Sequence, residues 1–150
     1  MDPFHANDKP SELDGEIIAA ADTVAALTGG TVHATHVYRP VLGFIPGMGM
    51  NPGFVAAVPA QYKAYKAEIR RRFYEALGRH GISRNRGHLV CGEPSIELPV
   101  VARTVRAGLV VMGAMSRSGL KRIFIGNTAE QVLDSLQCDV LIVQPPNPPP

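Results

Sequence analysis

The stretch GAMSRSGLKRIFIGNTAE, residues 113–130, has the residue types of a loop that binds phosphate. It follows an apolar run, starts at Gly113 and leads to Gly126 and Asn127, which open a predicted helix. Glycine lets backbone N–H groups approach an anion, and a helix N-terminus adds a favourable partial positive charge. Three cations in the loop could support the same ligand: Arg117, Lys121 and Arg122.

A plainer interpretation of this loop stays open. Gly113 and Gly126 also suit a simple turn and the residue before a helix, Asn127 suits an ordinary cap, and cations suit a solvated loop. Because glycine loops at strand ends are common, spacing alone does not separate the two interpretations.

The sequence offers little for other kinds of chemistry. It contains no nucleophile elbow, no HExxH motif and no Ser/His/Asp order, so no catalytic residue is predicted. His33 and His36 lie in a predicted strand and are a conceivable metal pair, but no third ligand accompanies them. We therefore predict no metal site.

The composition is that of one ordinary globular domain. The 150 residues are 45% hydrophobic and 19% charged, with a net charge of +2. This balance predicts no nucleic-acid partner. No apolar run is long enough to span a membrane and Met1-Asp2-Pro3 does not begin a signal peptide, which predicts a cytoplasmic protein without membrane contact. Cys91 and Cys138 lack metal or redox spacing and are expected to be reduced and largely buried.

Helical and strand patterns alternate along the chain. The last two strand patterns are almost continuously apolar, which predicts strands covered on both faces. The first helix has Ser11 as a possible N-cap and Gly29-Gly30 as its stop, and Pro99 should kink the third helix or mark its first turn. Alternation predicts an α/β fold with an open, mostly parallel, doubly wound sheet flanked by helices. The predicted strands are 31–38, 86–90, 108–113 and 139–144, and the helices 11–27, 60–81, 94–108 and about 127–136.

Two segments stand apart from this alternation. Residues 39–60 are predicted to form a long loop rich in glycine, proline and apolar side chains, including Phe44 and Phe54. Either this loop packs on itself or its Met, Phe and Ile side chains line a pocket for an apolar small molecule or a partner protein. Residues 145–150 are a Pro-rich tail, so the single domain is placed at 1–144.

The run LVVMGAMSRSGLKRIFIGNTAEQVLDSLQCDVLIVQPP resembles the C-terminal segment of universal stress proteins, most of all the second domain of their tandem-domain members. THVYRP and GEP resemble the ends of that family's second and third strands. Nucleotide-binding members carry Gly-x-x-Gly, nine residues, then Gly followed by Ser or Thr. Here the first and last glycines are Gly113 and Gly126, while Ser116 replaces the middle glycine and Asn127 the Ser or Thr.

This resemblance implies a set of nucleotide contacts. Asp2 and Val37 would face the nucleoside, and the phosphates would meet Gly113, Ser116, Gly126 and Asn127, with Arg117 as a weaker addition. ATP with magnesium is the implied ligand. The Cβ of Ser116 and the bulk of Asn127 both fall on phosphate contacts, so we expect weak binding.

The resemblance also implies a first, central strand ending in an aspartate, in the sheet order 3-2-1-4-5. Asp2 matches that aspartate, and Met1 stands where the strand should be. An empty central position would leave N–H and C=O groups unpaired on both flanking strands. We considered three explanations: a start or boundary that truncates the second half of a tandem protein, which we favour; an element donated by a second copy; or direct pairing of the flanking strands.

Together these observations predict a cytoplasmic stress-response module that binds or regulates rather than catalyses, with at most slow ATP hydrolysis. The resemblance further implies a homodimer through the strand 139–144.

Overall fold

The computed structural model describes residues 13–39, 52–113 and 127–144, with 52–61 and 127–128 described through their helical backbone. The helices are α1 (Leu13–Thr28), α2 (Pro52–Arg79), α3 (Pro94–Thr104) and α4 (Asn127–Ser135). The strands are β1 (Ala34–Tyr38), β2 (Gly87–Cys91), β3 (Leu109–Gly113) and β4 (Asp139–Val143), and a short 3-10 turn, Arg84–Arg86, precedes β2. None of these described helices is long and apolar enough to cross a membrane.

The predicted alternation of helices and strands is confirmed, although α3 ends at Thr104 rather than 108, β1 begins at Ala34 rather than 31, and the largest difference is at the start of α2. Residues 39–60 were predicted to be a loop, but the helix begins at Pro52, so residues 52–60 are helical. Proline at a first helical position loses no hydrogen bond. Pro59 also lies inside the helix. The glycine and proline content of this stretch therefore predicted too long a loop.

The strands form two separate parallel pairs in the described part of the chain. β1 pairs with β2 from Ala34 opposite Gly87 to Tyr38 opposite Cys91. β3 pairs with β4 from Leu109 opposite Asp139 to Gly113 opposite Val143. The parallel arrangement is confirmed, and no described strand lies between β1 and β3. Direct pairing of the flanking strands is wrong, because β1 and β3 are not hydrogen-bonded neighbours.

One well-packed core lies between α1, α2 and the β1–β2 pair. It consists of Ile18, Ala34, Phe73, Leu77 and Ile82, and the side chains of Phe73 and Leu77 are completely buried. Gly87 shows how closely α2 approaches β2. A Cβ there would lie 2.2 Å from Leu77 Cδ1, so only glycine permits this contact.

The β3–β4 pair is less covered than its sequence predicts. All five residues of β3 are half-exposed. In β4, Asp139 and Leu141 are exposed. The prediction that both strands are covered on both faces is therefore wrong. A continuous apolar run indicates buried strands only when a neighbouring strand and helices close over them.

The predicted helix signals are confirmed at the end of α1. Gly29 has φ of +70°, and the Gly30 N–H donates to the Ala25 carbonyl over 3.0 Å, which closes the helix as a glycine cap does. In α3, Pro94 occupies the first turn and Pro99 lies buried inside the helix, so Pro99 does not mark the helix start. Ser11, the predicted N-cap of α1, lies outside the described residues.

Candidate functional site

A cavity of about 720 Å³ lies between the two strand pairs. Its strand walls come from β1 and β3, and α1 and α3 supply its helical walls. Val37 near the end of β1 and Gly113 at the end of β3 both line it. The cavity runs along nearly the whole length of both strands, and its end at Val37 and Gly113 is the carboxyl end, where parallel α/β sheets bind ligands. The apolar part of the helical lining includes Ile17, Ala21, Val24, Leu98, Val101 and Val105.

Gly113 is tightly packed against α1. A Cβ at this position would lie 2.8 Å from Ile17 Cδ1 and 3.0 Å from Leu13 Cδ2. A Cβ here would force the ends of Ile17 and Leu13 to move, so helix packing favours glycine whether or not a phosphate approaches. A phosphate role and a plain turn are the two explanations that the sequence offers for Gly113, and packing against α1 is a third.

The structure locates only part of the predicted nucleotide site. Val37 and Gly113 meet at one cavity, and Asn127 is the first residue of α4, as the sequence predicted. The remaining predicted contacts stay predictions, because they lie outside the described residues: Asp2, Ser116, Arg117 and Gly126.

A cluster of two phenols and a thiol lies at the carboxyl ends of β1 and β2, and the sequence gave no signal for it. The Tyr62 hydroxyl on α2 hydrogen-bonds to Cys91, and this bond raises the pKa of Tyr62. Burial and the neighbouring Cys91 raise the pKa of Tyr38. Both phenols are protonated at neutral pH, as tyrosine is at its ordinary pKa, and can donate hydrogen bonds. No motif connects these residues, since they meet only through the packing of α2 on the strands.

The thiols are more accessible than predicted. Cys91 is exposed and Cys138 is half-exposed, so the expectation that both are largely buried is wrong, although both are free thiols as predicted. Cys91 is the last residue of β2 and the exposed one of its five.

An ion pair lies just beyond the same strand ends. Arg39, which follows β1, donates to a Glu93 carboxylate oxygen over 2.5 Å, and Glu93 precedes α3. This bond raises the pKa of Arg39. Both side chains face solvent, so the pair mainly positions charge at the rim and adds little to stability.

The two strand histidines do not form a metal pair. His36 is buried and stacks on Phe73 with ring centroids 6.3 Å apart. His33 instead meets His88 of β2, with Nδ1 and Nε2 2.9 Å apart. Within the described ranges, no three His, Cys, Asp or Glu side chains are grouped to hold a metal ion.

The fold and the cavity place the chain among parallel α/β domains whose ligand sites lie at the carboxyl ends of the strands. A family model, the universal stress protein family, matches residues 8–144. The chain therefore belongs to the universal stress protein family, which is a family of stress-response proteins, and the predicted resemblance is confirmed.

Individual relatives agree with this assignment. The chain is 37% identical to universal stress protein E of Escherichia coli K12 over 89 residues, covering 59% of this chain and 26% of that protein. It is 29% identical to a universal stress protein E homolog of Haemophilus influenzae, over 89% of this chain and 42% of that protein. A functionally unknown protein from Pseudomonas aeruginosa PAO1 has a similar structure, with a TM-score of 0.72 and 26% identity.

The chain spans less than half the length of each of these relatives. The alignment with the Pseudomonas structure covers 97% of this chain and 45% of that one. The likeness to the second domain of a tandem protein, and the truncation favoured from the sequence, stay predictions.

Proposed function

We propose that this domain is a cytoplasmic stress-response module that binds an adenine nucleotide weakly at the carboxyl ends of β1 and β3. One observation carries the proposal. Val37 and Gly113, which the family resemblance assigns to the nucleoside and to the phosphates, line the same cavity. The start of α4 at Asn127 adds a helix N-terminus.

ATP with magnesium is the first ligand to test, because the loop keeps the outer glycine spacing of the family's nucleotide-binding members. A structurally similar universal stress protein has been solved in complex with cAMP. Cyclic AMP therefore belongs in the same titration series, and it would need fewer phosphate contacts than ATP. With no dedicated catalytic residue predicted, turnover of ATP is at most slow.

The sharpest test restores the family pattern in the loop. In calorimetric titrations with magnesium and ATP, we expect the Ser116→Gly and Asn127→Ser double variant to bind ATP about tenfold tighter than the parent chain. This gain corresponds to about 1.4 kcal/mol of binding free energy, which the regained phosphate contacts would supply. Ser118→Gly makes the same chemical change two residues away and should leave the affinity unchanged. Gly113 is a poor position for this test, since a side chain there would disturb α1.

The result has a clear negative outcome. If the double variant shows the same circular dichroism and thermal transition as the parent, and neither protein binds ATP or cAMP, the nucleotide proposal fails. An equal gain from Ser118→Gly would show that loop flexibility, rather than a specific contact, sets the affinity.

We also propose that β4 forms the contact of a homodimer. β4 borders β3 on one side only among the described strands, and Leu141 on it is 37% exposed. An exposed apolar edge gains by pairing with another strand. Leu141→Lys should convert the dimer to a monomer in light-scattering measurements, whereas Leu27→Lys, at the 82% exposed Leu27 of α1, should not. A monomeric parent chain would end this proposal.

The alternative of an apolar ligand at residues 39–60 concerns side chains outside the described residues. Residues 52–60 of this predicted loop belong to helix α2. The alternative stays a prediction, and loss of a fluorescent fatty-acid probe on Phe44→Ser and Phe54→Ser substitution remains its test.

A further inference from the structure

The basic residues of this chain are concentrated in one segment. Residues 66–86, which run from α2 through the turn before β2, contain seven Lys and Arg and two Glu. The rest of the chain contains eight Lys and Arg and eleven Asp and Glu, so it is net acidic. The small net charge of the whole protein therefore conceals a basic region, and such a region attracts acidic partners.

Two of these arginines lie over the same aromatic ring. Arg70 is about one helical turn before Tyr74 on α2, and its guanidinium carbon lies 5.7 Å from the centre of the Tyr74 ring. The guanidinium carbon of Arg84, in the turn before β2, lies 4.9 Å from the same ring centre. The two cations are therefore at most about 11 Å apart, because both distances are measured to one point. Attraction to the ring orients both side chains, although both are exposed to solvent.

The Tyr74 ring is itself held in place. It lies 5.5 Å from the ring of Phe73, which is completely buried, and it packs against the core beneath α2. The turn that carries Arg84 is closed by a hydrogen bond from the Arg86 N–H to the Ser83 carbonyl over 2.9 Å. Both cations are thus attached to fixed elements, so they lose less conformational freedom when they bind an anion.

Neighbouring carboxylates do not neutralise these two arginines. The acidic residues of the segment, Glu68 and Glu75, both accept hydrogen bonds from Arg71, over 2.7 to 2.9 Å. Within the ranges that the structure describes, no carboxylate is paired with Arg70 or Arg84. Their guanidinium N–H groups are therefore available to an acceptor on another molecule.

A shallow pocket of about 530 Å³ brings these groups together. Its lining consists of Ala67, Arg70, Arg71, Tyr74, Glu75 and Arg84. We propose that this pocket binds an acidic segment of a partner protein, with one carboxylate on Arg70 and another on Arg84. The planar fork of a guanidinium matches a carboxylate with two parallel N–H donors. Acidic side chains two apart in a strand, about 7 Å, or three to four apart in a helix, about 5–6 Å, are close enough together to reach both cations.

The surroundings of the pocket favour a polypeptide over a membrane or a nucleic acid. The large apolar side chains that are exposed in the described part of the chain lie on other elements: Leu27, Ile96, Val100 and Leu141. A lipid surface would therefore gain no apolar anchor at this pocket. The guanidinium groups of Arg70 and Arg84 lie over the Tyr74 ring, where a nucleic-acid base would have to stack.

The test uses the whole chain and a labelled synthetic peptide, Gly-Ser-Asp-Glu-Asp-Glu-Ser-Gly, followed by fluorescence anisotropy. A control peptide with Asn and Gln in place of Asp and Glu should bind about tenfold more weakly or less. Arg70→Gln and Arg84→Gln should each weaken binding of the acidic peptide by about five- to tenfold. Arg79→Gln is the matched control, because it removes the same charge from an exposed position of α2 about two and a half turns from Arg70, on the opposite side of the helix. It should leave the affinity nearly unchanged.

Substitutions of the ring separate its role in orienting the cations from its role in the core. Tyr74→Leu keeps an apolar side chain but removes the ring, and it should weaken peptide binding by about threefold. Tyr74→Phe keeps the ring and should bind like the parent chain. Thermal unfolding of both variants shows whether the core is intact. In NMR spectra of the parent chain, the side-chain Nε–H signals of Arg70 and Arg84 should shift on addition of the peptide, and the signal of Arg79 should not.

Three results would overturn the proposal. The first is equal binding of the Asn and Gln peptide, since the carboxylates would then contribute nothing. The second is an equal loss of affinity in Arg79→Gln and Arg70→Gln, which would show attraction by net charge without a site. The third is tighter binding of a single-stranded oligonucleotide or of phosphatidylserine vesicles than of the acidic peptide, which would make a phosphate-bearing partner the ligand.

Discussion

The two strands that border the cavity, β1 and β3, differ in how well they are buried, and the difference runs against their composition. β1 includes the polar residues Thr35 and His36, yet Ala34, His36 and Tyr38 are buried, and His36 stacks on Phe73 of α2. The β3 strand reads Leu-Val-Val-Met-Gly, and every residue of it is half-exposed. Burial of a strand in a parallel sheet therefore depends on the helices and strands that pack over it. An apolar sequence indicates that a strand should be covered, but not that it is.

The largest effect should come from the core beneath α2. Phe73→Ala should lower the free energy of unfolding by about 3–5 kcal/mol, because it opens a cavity at a completely buried site. Val111→Ala in β3 should cost only about 1 kcal/mol, since that side chain is already half-exposed.

Urea unfolding of the two variants measures this contrast. Phe73→Leu keeps most of the volume and should recover much of the loss. Equal costs for Phe73→Ala and Val111→Ala would mean that β3 is as well covered as β1, and the comparison would fail.

A second contrast compares two glycines in tight contact. Gly87→Ala would place a Cβ 2.2 Å from Leu77 Cδ1 and 3.2 Å from Phe73 Cε1, and neither side chain has room to move. We expect a cost of about 1–3 kcal/mol in thermal or urea unfolding. Gly113→Ala meets Ile17 first, and Ile17 lines the cavity and can turn into it, so its cost should be smaller. A reversed order would show that α1 is held rigidly on β3.

A third prediction concerns the histidine contact across β1 and β2. Burial, and then the neighbouring His33, lower the pKa of His88. The unfolded chain therefore binds a proton more readily, with the usual histidine pKa of about 6.5. Stability should fall as the pH drops from about 6.5 towards the lowered folded value. Urea unfolding at several pH values measures this dependence, and His88→Asn should flatten it. The control His80→Asn should leave it unchanged. If the unfolding free energy of His88→Asn still falls as steeply with falling pH, His88 is not the cause of the fall.

The smallest effect is expected on the solvent face of α2. Hydrogen bonds from Arg71 and Arg72 lower the pKa of Glu68 to about 2. The ion pairs of Glu68 with Arg71 and Arg72 can stabilise the fold only while Glu68 is ionised. Their contribution to the free energy of unfolding is therefore present above the usual carboxyl pKa and is lost as the pH falls towards 2. NMR titration should give a Glu68 midpoint near 2 that rises at high salt, while Glu68→Gln should barely change the urea midpoint, because exposed ion pairs are screened. A large destabilisation would mean that α2 depends on its outer face as well as on Phe73.

The sequence predicted the elements well because each carries a local signal. Gly29 and Gly30 end α1, the short β-branched runs became β1 to β4, and α4 starts at Asn127. The start of α2 was missed, since proline at a first helical position looks the same in sequence as proline in a loop. The spacing of the glycines predicted Gly113 as a residue of the nucleotide site. Its contact with Ile17 could not be predicted from spacing, because the two residues are far apart in the sequence.

The sequence by itself determined the order of elements, their parallel arrangement and the family, since hydrophobic period, cap residues and glycine spacing are properties of neighbouring residues. Only the tertiary structure decided which strands are covered, because coverage depends on elements that are distant in sequence. It brought Val37 and Gly113 to one cavity and joined Tyr38, Tyr62 and Cys91 at one edge. It also placed Arg70 of α2 and Arg84 of the following turn over the ring of Tyr74, an arrangement that depends on how the turn folds back on the helix.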